Sequence, residues 1–307
     1  MNKNPMMCDL ETGICGPAEE DNTGLELIDL SAPRKKMNLY YATDPICSHC
    51  WALEPVLRRF TEQYGHYFNM HTLMGGLVEK WDDFDDTSGI SKPSDVAKHW
   101  KEIGLHSRMP INGDLWFDNH VTSSYIPSRV YKVIQQKDAK LAVVFLRKAR
   151  EAVLPFNKNI GSDHILIDLV NKIGLNGEEI VKESYLPAAQ ELLQEDFTTL
   201  SHLDVRGFPT LVFINEEQKG VKVVGVKSFE SYIEALQQLL PDEKIQPANS
   251  PNLQSLLQKE ELLFSKEIEE MYRVEEKNVE AFIQKELAGH SYAVEEILGE
   301  KYIKALI

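Results

Sequence analysis

The chain has 307 residues, of which 43% are hydrophobic and 26% charged, proportions typical of a globular protein with a sizeable core. Its formal net charge of −15 argues against nucleic-acid binding, because proteins that bind a phosphate backbone usually carry a basic stripe. No apolar run approaches the roughly 20 residues that span a bilayer, and the first residues lack a signal-peptide pattern. We therefore expect no nucleic-acid or membrane partner, and a cytoplasmic location in which thiols stay reduced.

The first stretch, residues 1–35, contains Cys8 and Cys15 and an acidic run from Glu19 to Asp21. Because it holds few apolar residues, we predict a flexible arm. Its two cysteines are either exposed thiols without a task or an accessory pair. An accessory pair would exchange with two further cysteines that follow in the chain.

That second pair, Cys47 and Cys50, lies between a predicted strand and a predicted helix. An apolar, β-prone run from Met37 to Ala42 precedes it, and apolar residues at helical spacing follow it to about Tyr64. A C-x-x-C sequence at a helix start can close a small disulfide ring, and the unpaired N–H groups there favour the thiolate of the first cysteine. Because thiolate is the species that attacks disulfides, the arrangement predicts thiol–disulfide exchange.

The next segments combine one strand with a long helical region. Alternation from Phe68 to Met74 predicts a second strand that ends at the corner Gly75-Gly76. After a polar loop, residues 94–199 show several segments with helical spacing, which predict an all-α insertion. A loop within it contains Trp116 and His120, and we favour a structural role for this loop over a place facing the thiols.

Two more strands and a helix follow the insertion. The sequence Gly207-Phe208-Pro209-Thr210 precedes a β-rich run from Leu211 to Ile214. A further strand from Lys222 to Gly225 and an amphipathic helix from Phe229 to Leu240 complete this part.

The last part of the chain is predicted to be helical. Residues 242–252 hold two prolines among polar residues and are predicted to form a linker. Residues 253–307 are acidic, with apolar stripes at helical spacing, and we predict a helical extension whose last helix runs from Tyr292 to Leu306. These helices either pack on their own domain, which we favour, or offer a docking surface to a partner.

The C-x-x-C after a strand, the helical insertion and the Gly207-Phe208-Pro209-Thr210 sequence together resemble the DsbA-like branch of the thioredoxin superfamily. The similarity is greatest to its cytoplasmic dithiol-disulfide isomerases, or FrnE-like oxidoreductases. The segment from Cys50 to Val56 is also similar to the DsbA-like adapters that deliver the transcription factor Spx to the protease ClpXP. The resemblance covers roughly residues 37–240. It implies an α/β thioredoxin fold, formed by residues 36–93 and 200–241, around the insertion.

The resemblance also implies roles for individual residues. Pro209 would be a cis-proline opposite the thiols, where it and Phe208 position a substrate chain; a cis bond before proline costs little. His49, when protonated, would favour the neighbouring thiolate and make the disulfide more oxidising. Trp51 would be a partly exposed residue that covers the thiols and helps to bind substrate.

No metal and no organic cofactor is predicted. A tetrahedral zinc site is chemically open to four cysteines, here Cys8, Cys15, Cys47 and Cys50. The resemblance disfavours it, because it assigns the C-x-x-C to redox chemistry.

Two functions remain open, and we favour the first. In an oxidoreductase or isomerase, Cys47 would attack protein or small-molecule disulfides and Cys50 would resolve the mixed disulfide. In an adapter, the scaffold and the C-terminal helices would bind an Spx-like regulator for delivery to ClpXP. The cysteines of an adapter would sense redox state or have no task.

Overall fold

The computed structural model describes residues 37–81, 90 and 92–306, and all of these belong to one compact unit. The predicted arm, with Cys8 and Cys15, lies outside the described residues. Among the helices in the described ranges, none combines the length and the apolar composition that crossing a bilayer requires.

A four-stranded sheet with the order β2-β1-β3-β4 forms the first layer. Its strands are β1 Met37–Thr43, β2 Phe68–Met74, β3 Thr210–Asn215 and β4 Gly220–Val224. β2 runs parallel to β1, whereas β3 is antiparallel to both β1 and β4. Parallel neighbours need a crossover, which the helix α1, Ser48–Tyr64, supplies. This architecture confirms the predicted thioredoxin fold.

The sheet has a hydrophobic core of its own, shared with α1 and with α9, Phe229–Leu239. Phe60 of α1 lies at its centre, with its ring stacked on Phe68 and edge-on to Phe213, at centroid distances of 5.4 Å and 6.0 Å. Burying one such ring stabilises the fold by about 1.5–3 kcal/mol, so this cluster holds α1 firmly against the sheet.

In the described part of the chain between β2 and β3, the structure has seven helices. They are α2 Pro93–Ser107, α3 Leu115–Asp118, α4 Tyr125–Lys137, α5 Ala139–Val153, α6 Asp163–Lys172, α7 Gly177–Ser184 and α8 Pro187–His202. Their apolar faces enclose a second core, which includes Trp100, Trp116 and Phe145. The segment that was predicted as an all-α insertion is therefore helical wherever it is regular.

The C-terminal part is not all helical, so that prediction is wrong. It has the helices α10 Leu253–Glu260, α11 Ser265–Tyr272 and α12 Val279–Glu286, and the strands β5 Leu262–Phe264, β6 Tyr292–Ile297 and β7 Glu300–Ala305. The predicted last helix is instead the hairpin β6–β7. Its two-residue turn places Leu298 and Gly299 at φ values of 53° and 83°, the paired positive angles that match the twist of a hairpin.

The second sheet, ordered β5-β7-β6, contributes buried residues of β5 and β7 to two different cores. Phe264 and Tyr302 face the core of the helical insertion. Leu263 and Ile303 face the opposite way, into a third core with α10, α11 and α12. We call residues 253–306 the C-terminal module; because its sheet completes the core of the insertion, it is packed as part of the same body.

The segment predicted as a linker, residues 242–252, lies against the end of α1. The Ala248 N–H donates to the Gln63 carbonyl at 2.7 Å, and the Gln246 N–H donates to the Tyr67 hydroxyl at 2.8 Å. The Gln63 amide also donates to Ser250 at 2.9 Å. These bonds tie the segment to the thioredoxin part.

Candidate active site

The two thiols lie at the start of α1. Cys47 is the N-cap residue, and its sulfur accepts the Cys50 N–H at 3.2 Å. Both cysteines are free thiols; Cys47 is 6% exposed and Cys50 is fully buried. The first sulfur is therefore the one that solvent or a substrate can reach.

Asp44 holds the turn between β1 and α1. Its carboxylate accepts the N–H groups of Ile46 at 3.0 Å and Leu77 at 2.8 Å, and the Ser124 hydroxyl at 2.8 Å. These bonds join the turn to the corner after β2 and to the start of α4. Burial raises the pKa of the Asp44 carboxyl to about 6, although the three hydrogen bonds favour the charged form.

Beneath the thiols, α5 contributes a buried cation, Arg150, which is 1% exposed. Its guanidinium donates to the Thr43 hydroxyl and to the Asp44 carbonyl at 3.3 Å, and it forms an ion pair with Glu54. The Asp44 carbonyl in turn accepts the Cys47 N–H at 3.2 Å. A chain of polar contacts therefore leads from Arg150 to the start of the dithiol.

The two thiols titrate as a coupled pair. The pair loses its first proton more easily than its second. Burial, together with the hydrogen bond and charge of Cys50, raises the pKa of the Cys47 thiol. Burial also opposes ionisation of Cys50, but the hydrogen bond from Cys47, the charge of Arg150 and the Thr43 hydroxyl lower its pKa. The reduced pair therefore favours a single thiolate, with the remaining proton between the two sulfurs.

His49 is exposed, and its ring lies 5.5 Å from that of His99 of α2. Partial burial and the neighbouring His99 lower the pKa of His49 below 6.5, so the neutral imidazole dominates at pH 7. The cation whose charge favours the thiolates at that pH is Arg150, and the predicted tuning by a protonated His49 is not favoured.

Trp51 is fully buried, so the prediction of a partly exposed, substrate-binding residue is wrong. Its indole N–H donates to the Pro110 carbonyl at 3.1 Å, and the Phe264 ring meets it edge-on at 5.6 Å. The guanidinium of Arg147 covers the indole at 4.7 Å. The C-terminal module and α5 thus seal the side of α1 that follows the second thiol.

On the open side, the loop before β3 approaches Cys47. The Phe208–Pro209 peptide bond is cis, as the resemblance implies. The Phe208 ring lies on Gly75, where an added Cβ would come within 1.9 Å of the ring. The corner after β2 therefore needs glycine so that the two loops can meet.

A cavity of about 250 Å³ opens beside Cys47. Its wall includes Cys47, His49, Trp81, Trp100, Trp116 and Phe208. The wall is mainly aromatic, with imidazole and guanidinium groups from His99 and Arg206. It can hold one apolar side chain next to a reacting sulfur.

The structure brings together most of the predicted site residues, namely Cys47, Cys50, His49 and Phe208, with Pro209 next in the chain. It also places Trp116 in the cavity wall, where we had favoured a purely structural loop. Asp44 and Arg150 were missed. The sequence contains one signal for each of them. Asp44 stands three residues before the C-x-x-C, and Arg150 interrupts the apolar face of α5.

Within the described ranges, no three or more histidine, cysteine, aspartate or glutamate side chains are grouped as metal ligands. The zinc alternative also required Cys8 and Cys15, which lie outside those ranges.

The comparisons with known proteins agree with this fold. A family model described as thioredoxin matches residues 40–234. The chain is 29% identical to the ClpXP adapter protein SpxH of Halalkalibacterium halodurans, over 92% of both chains. It is 31% identical to the protein of the same description from Shouchella clausii, over 82% of this chain and 80% of the relative.

Among solved structures, a putative protein disulfide isomerase from Nitrosomonas europaea superposes with a TM-score of 0.56 at 18% identity. The match covers all of that chain but 68% of this one, and at this identity it concerns the fold alone. The similarity to the SpxH proteins extends well beyond the part that the thioredoxin model matches. The chain belongs to the thioredoxin family and, within it, to the family of the SpxH proteins.

Proposed function

We propose that this protein is an adapter that binds an Spx-like regulator and delivers it to the ClpXP protease in the cytoplasm. One observation carries the proposal: the similarity to proteins described as ClpXP adapters spans 92% of the chain, whereas the thioredoxin model ends at residue 234. An adapter needs surface beyond a redox site, and the C-terminal module supplies it.

The way the module is attached supports this proposal. Ion pairs of two buried arginines join α1 and α5 to the module: Arg59 to the partly exposed Glu270 at 2.8 Å and Arg147 to the buried Glu267 at 2.9 Å. Rigid attachment suits an adapter, because a client held on one part is then presented to the protease in a fixed orientation. Removing the whole module would uncover Trp51, so point variants are the sounder test.

Complex formation tests the adapter proposal. The full chain and a purified Spx regulator, mixed at micromolar concentrations, should co-elute in gel filtration. The Cys47→Ser/Cys50→Ser double variant should form the same complex, because we assign binding to surface and not to sulfur chemistry. If neither the full chain nor the double variant shifts the elution of the regulator, the adapter proposal fails.

A second function, thiol–disulfide exchange, is favoured by a separate observation: Cys47 lies in the wall of an aromatic cavity beside the Pro209 loop. The proton shared by the two sulfurs would move to Cys50, so that Cys47 attacks one sulfur of a client disulfide as a thiolate. The other client sulfur would leave with the electron pair and take that proton from Cys50. The Cys50 thiolate would then attack the Cys47 sulfur and release the second client thiolate. The client gains two electrons, and the chain is left with a Cys47–Cys50 disulfide.

Trapping tests the exchange. Cys50→Ser removes the resolving thiol but leaves Cys47, so mixed disulfides with clients should accumulate under oxidative stress. Cys47→Ser is the matched control and should trap none. Equal trapping by both variants, or trapping by neither, would exclude this second function.

A further inference from the structure

The cation beneath the dithiol comes from the helical insertion and not from the thioredoxin part. Arg150 reaches the end of β1, where it donates to the Thr43 hydroxyl and the Asp44 carbonyl. The Asp44 carbonyl also accepts the Cys47 N–H at 3.2 Å, and Glu54, the ion-pair partner of Arg150, lies about one helical turn after Cys50 in α1. The guanidinium is therefore placed to act on the second thiol of the pair.

A neighbouring arginine on the same helix shows what is special about Arg150. Arg147 is also buried but is matched by two carboxylates, Glu151 at 2.8 Å and Glu267 at 2.9 Å. Among the described residues, Arg150 has one carboxylate within ion-pair distance, Glu54, which is 14% exposed. Carboxylates therefore neutralise the positive charge of Arg150 less fully than that of Arg147, at a site that water does not reach.

We propose that Arg150 is a positioning residue that stabilises a thiolate in the reduced Cys47–Cys50 pair and so makes the corresponding disulfide more oxidising. The proposal deepens the exchange function given above and rests on it. A buried guanidinium close to a sulfur favours the charged form, because the low-dielectric surroundings screen the interaction weakly. The lowered pKa of Cys50, to which the charge of Arg150 contributes, agrees with this placement.

The redox consequence follows from the half-reaction. When the disulfide gains two electrons, its S–S bond breaks and the two sulfurs separate. They bind two protons if both become thiols, and one proton if one of them remains a thiolate. Stabilising the thiolate therefore stabilises the reduced form, and the disulfide takes electrons from a client dithiol more readily, which is the reverse direction of the exchange given above. The client dithiol gives up the two electrons and becomes the disulfide.

The test uses the full chain with Cys8→Ser and Cys15→Ser, so that Cys47 and Cys50 are the remaining thiols. Thiolate absorbance at 240 nm is followed against pH, and the dithiol–disulfide equilibrium is measured in glutathione buffers. Arg150→Met should raise the thiolate pKa by about one to three units. It should also shift the equilibrium towards the disulfide by roughly tenfold for each unit.

Two matched variants separate charge from packing. Arg150→Lys keeps the positive charge and should restore most of the low pKa. Arg147→Met removes a buried guanidinium from the same helix, one that has its own two carboxylates, and should leave the thiol titration unchanged.

A variant of opposite sign keeps the proposal falsifiable if Arg150→Met does not fold. Glu54→Gln removes the carboxylate that offsets Arg150, so the thiolate pKa should fall by about one unit. An unchanged or raised pKa in Glu54→Gln, or an unchanged pKa in folded Arg150→Met, would overturn the role of Arg150. The thiol titration needs no client. If the thiolate pKa shifts as expected but no client disulfide is exchanged, the result counts against the exchange function and not against the role of Arg150.

Discussion

The two sheets of this protein are stabilised in different ways. The four-stranded sheet packs with α1 and α9 around Phe60 in a core to which the C-terminal module contributes nothing. The three-stranded sheet is divided between two cores, with Phe264 on the insertion side and Leu263 on the other. The thioredoxin part is thus largely self-contained, whereas the C-terminal module shares its core with the helices that wall the dithiol.

This difference shows what an appended segment can become. Phe264 and Arg147 cover Trp51, the residue directly after the second thiol. The C-terminal module, which lies outside the region that the thioredoxin family model matches, therefore packs against and stabilises the redox site. Any partner that binds the module contacts a body that is continuous with the dithiol.

The largest expected effect follows from this shared core. Phe264→Ala should lower the free energy of unfolding by about 3–5 kcal/mol, because it leaves a cavity between Trp51 and Tyr302. The module and the insertion should still unfold in one transition, as followed by circular dichroism and tryptophan fluorescence in urea. Val294→Ala, at a site 55% exposed, should change the stability by less than about 0.5 kcal/mol. Separate transitions would show that the module is an independent domain.

The end of the four-stranded sheet should respond to pH instead. The folded pKa of Asp44, about 6, lies above its unfolded value of 3.8, so the folded state binds more protons between these values and stability falls as pH rises through them. The span of about two units corresponds to roughly 3 kcal/mol.

Asp44→Asn removes this titration together with one hydrogen-bond acceptor. Its destabilisation relative to the parent protein should be larger at pH 4.5 than at pH 7.5, by roughly 2 kcal/mol. Urea unfolding at the two pH values measures the difference. A destabilisation that does not vary with pH would mean that Asp44 is charged at both.

A smaller, local effect is expected at the glycine corner. Gly75→Ala would force the Phe208 ring away from the corner, because the new Cβ would overlap it. We expect a loss of about 1–2 kcal/mol in stability and a changed rate of reaction of Cys47 with an aromatic disulfide, measured by stopped-flow absorbance. Gly207→Ala, whose Cβ would meet no atom within 4 Å, is the control. Equal rates in both variants would exclude contact with Phe208 as the reason for glycine at 75.

Local patterns in the sequence predicted the thioredoxin part well. The strands before and after the C-x-x-C, the helical insertion and the Gly207-Phe208-Pro209-Thr210 loop depend on alternation, helical spacing and short motifs, which are visible in a few neighbouring residues.

The features that were missed depend on distant contacts. Burial of Trp51 requires Phe264, and the cation at the thiols is Arg150, each far from the C-x-x-C in sequence. The charged residues of the hairpin β6–β7 are also compatible with a helix, so Leu298-Gly299 was not predicted to be its turn. Contacts on both faces of the second sheet then override helix propensity.

The most direct test of the adapter function is the rate at which ClpXP degrades an Spx regulator in a purified system, with and without this protein. We predict that the full chain accelerates degradation at least severalfold, and that Cys47→Ser/Cys50→Ser accelerates it as well. Phe264→Ala should accelerate it less under conditions where the variant is partly unfolded. An unchanged degradation rate with the folded full chain, despite complex formation, would contradict the adapter function and leave thiol–disulfide exchange as the function to pursue.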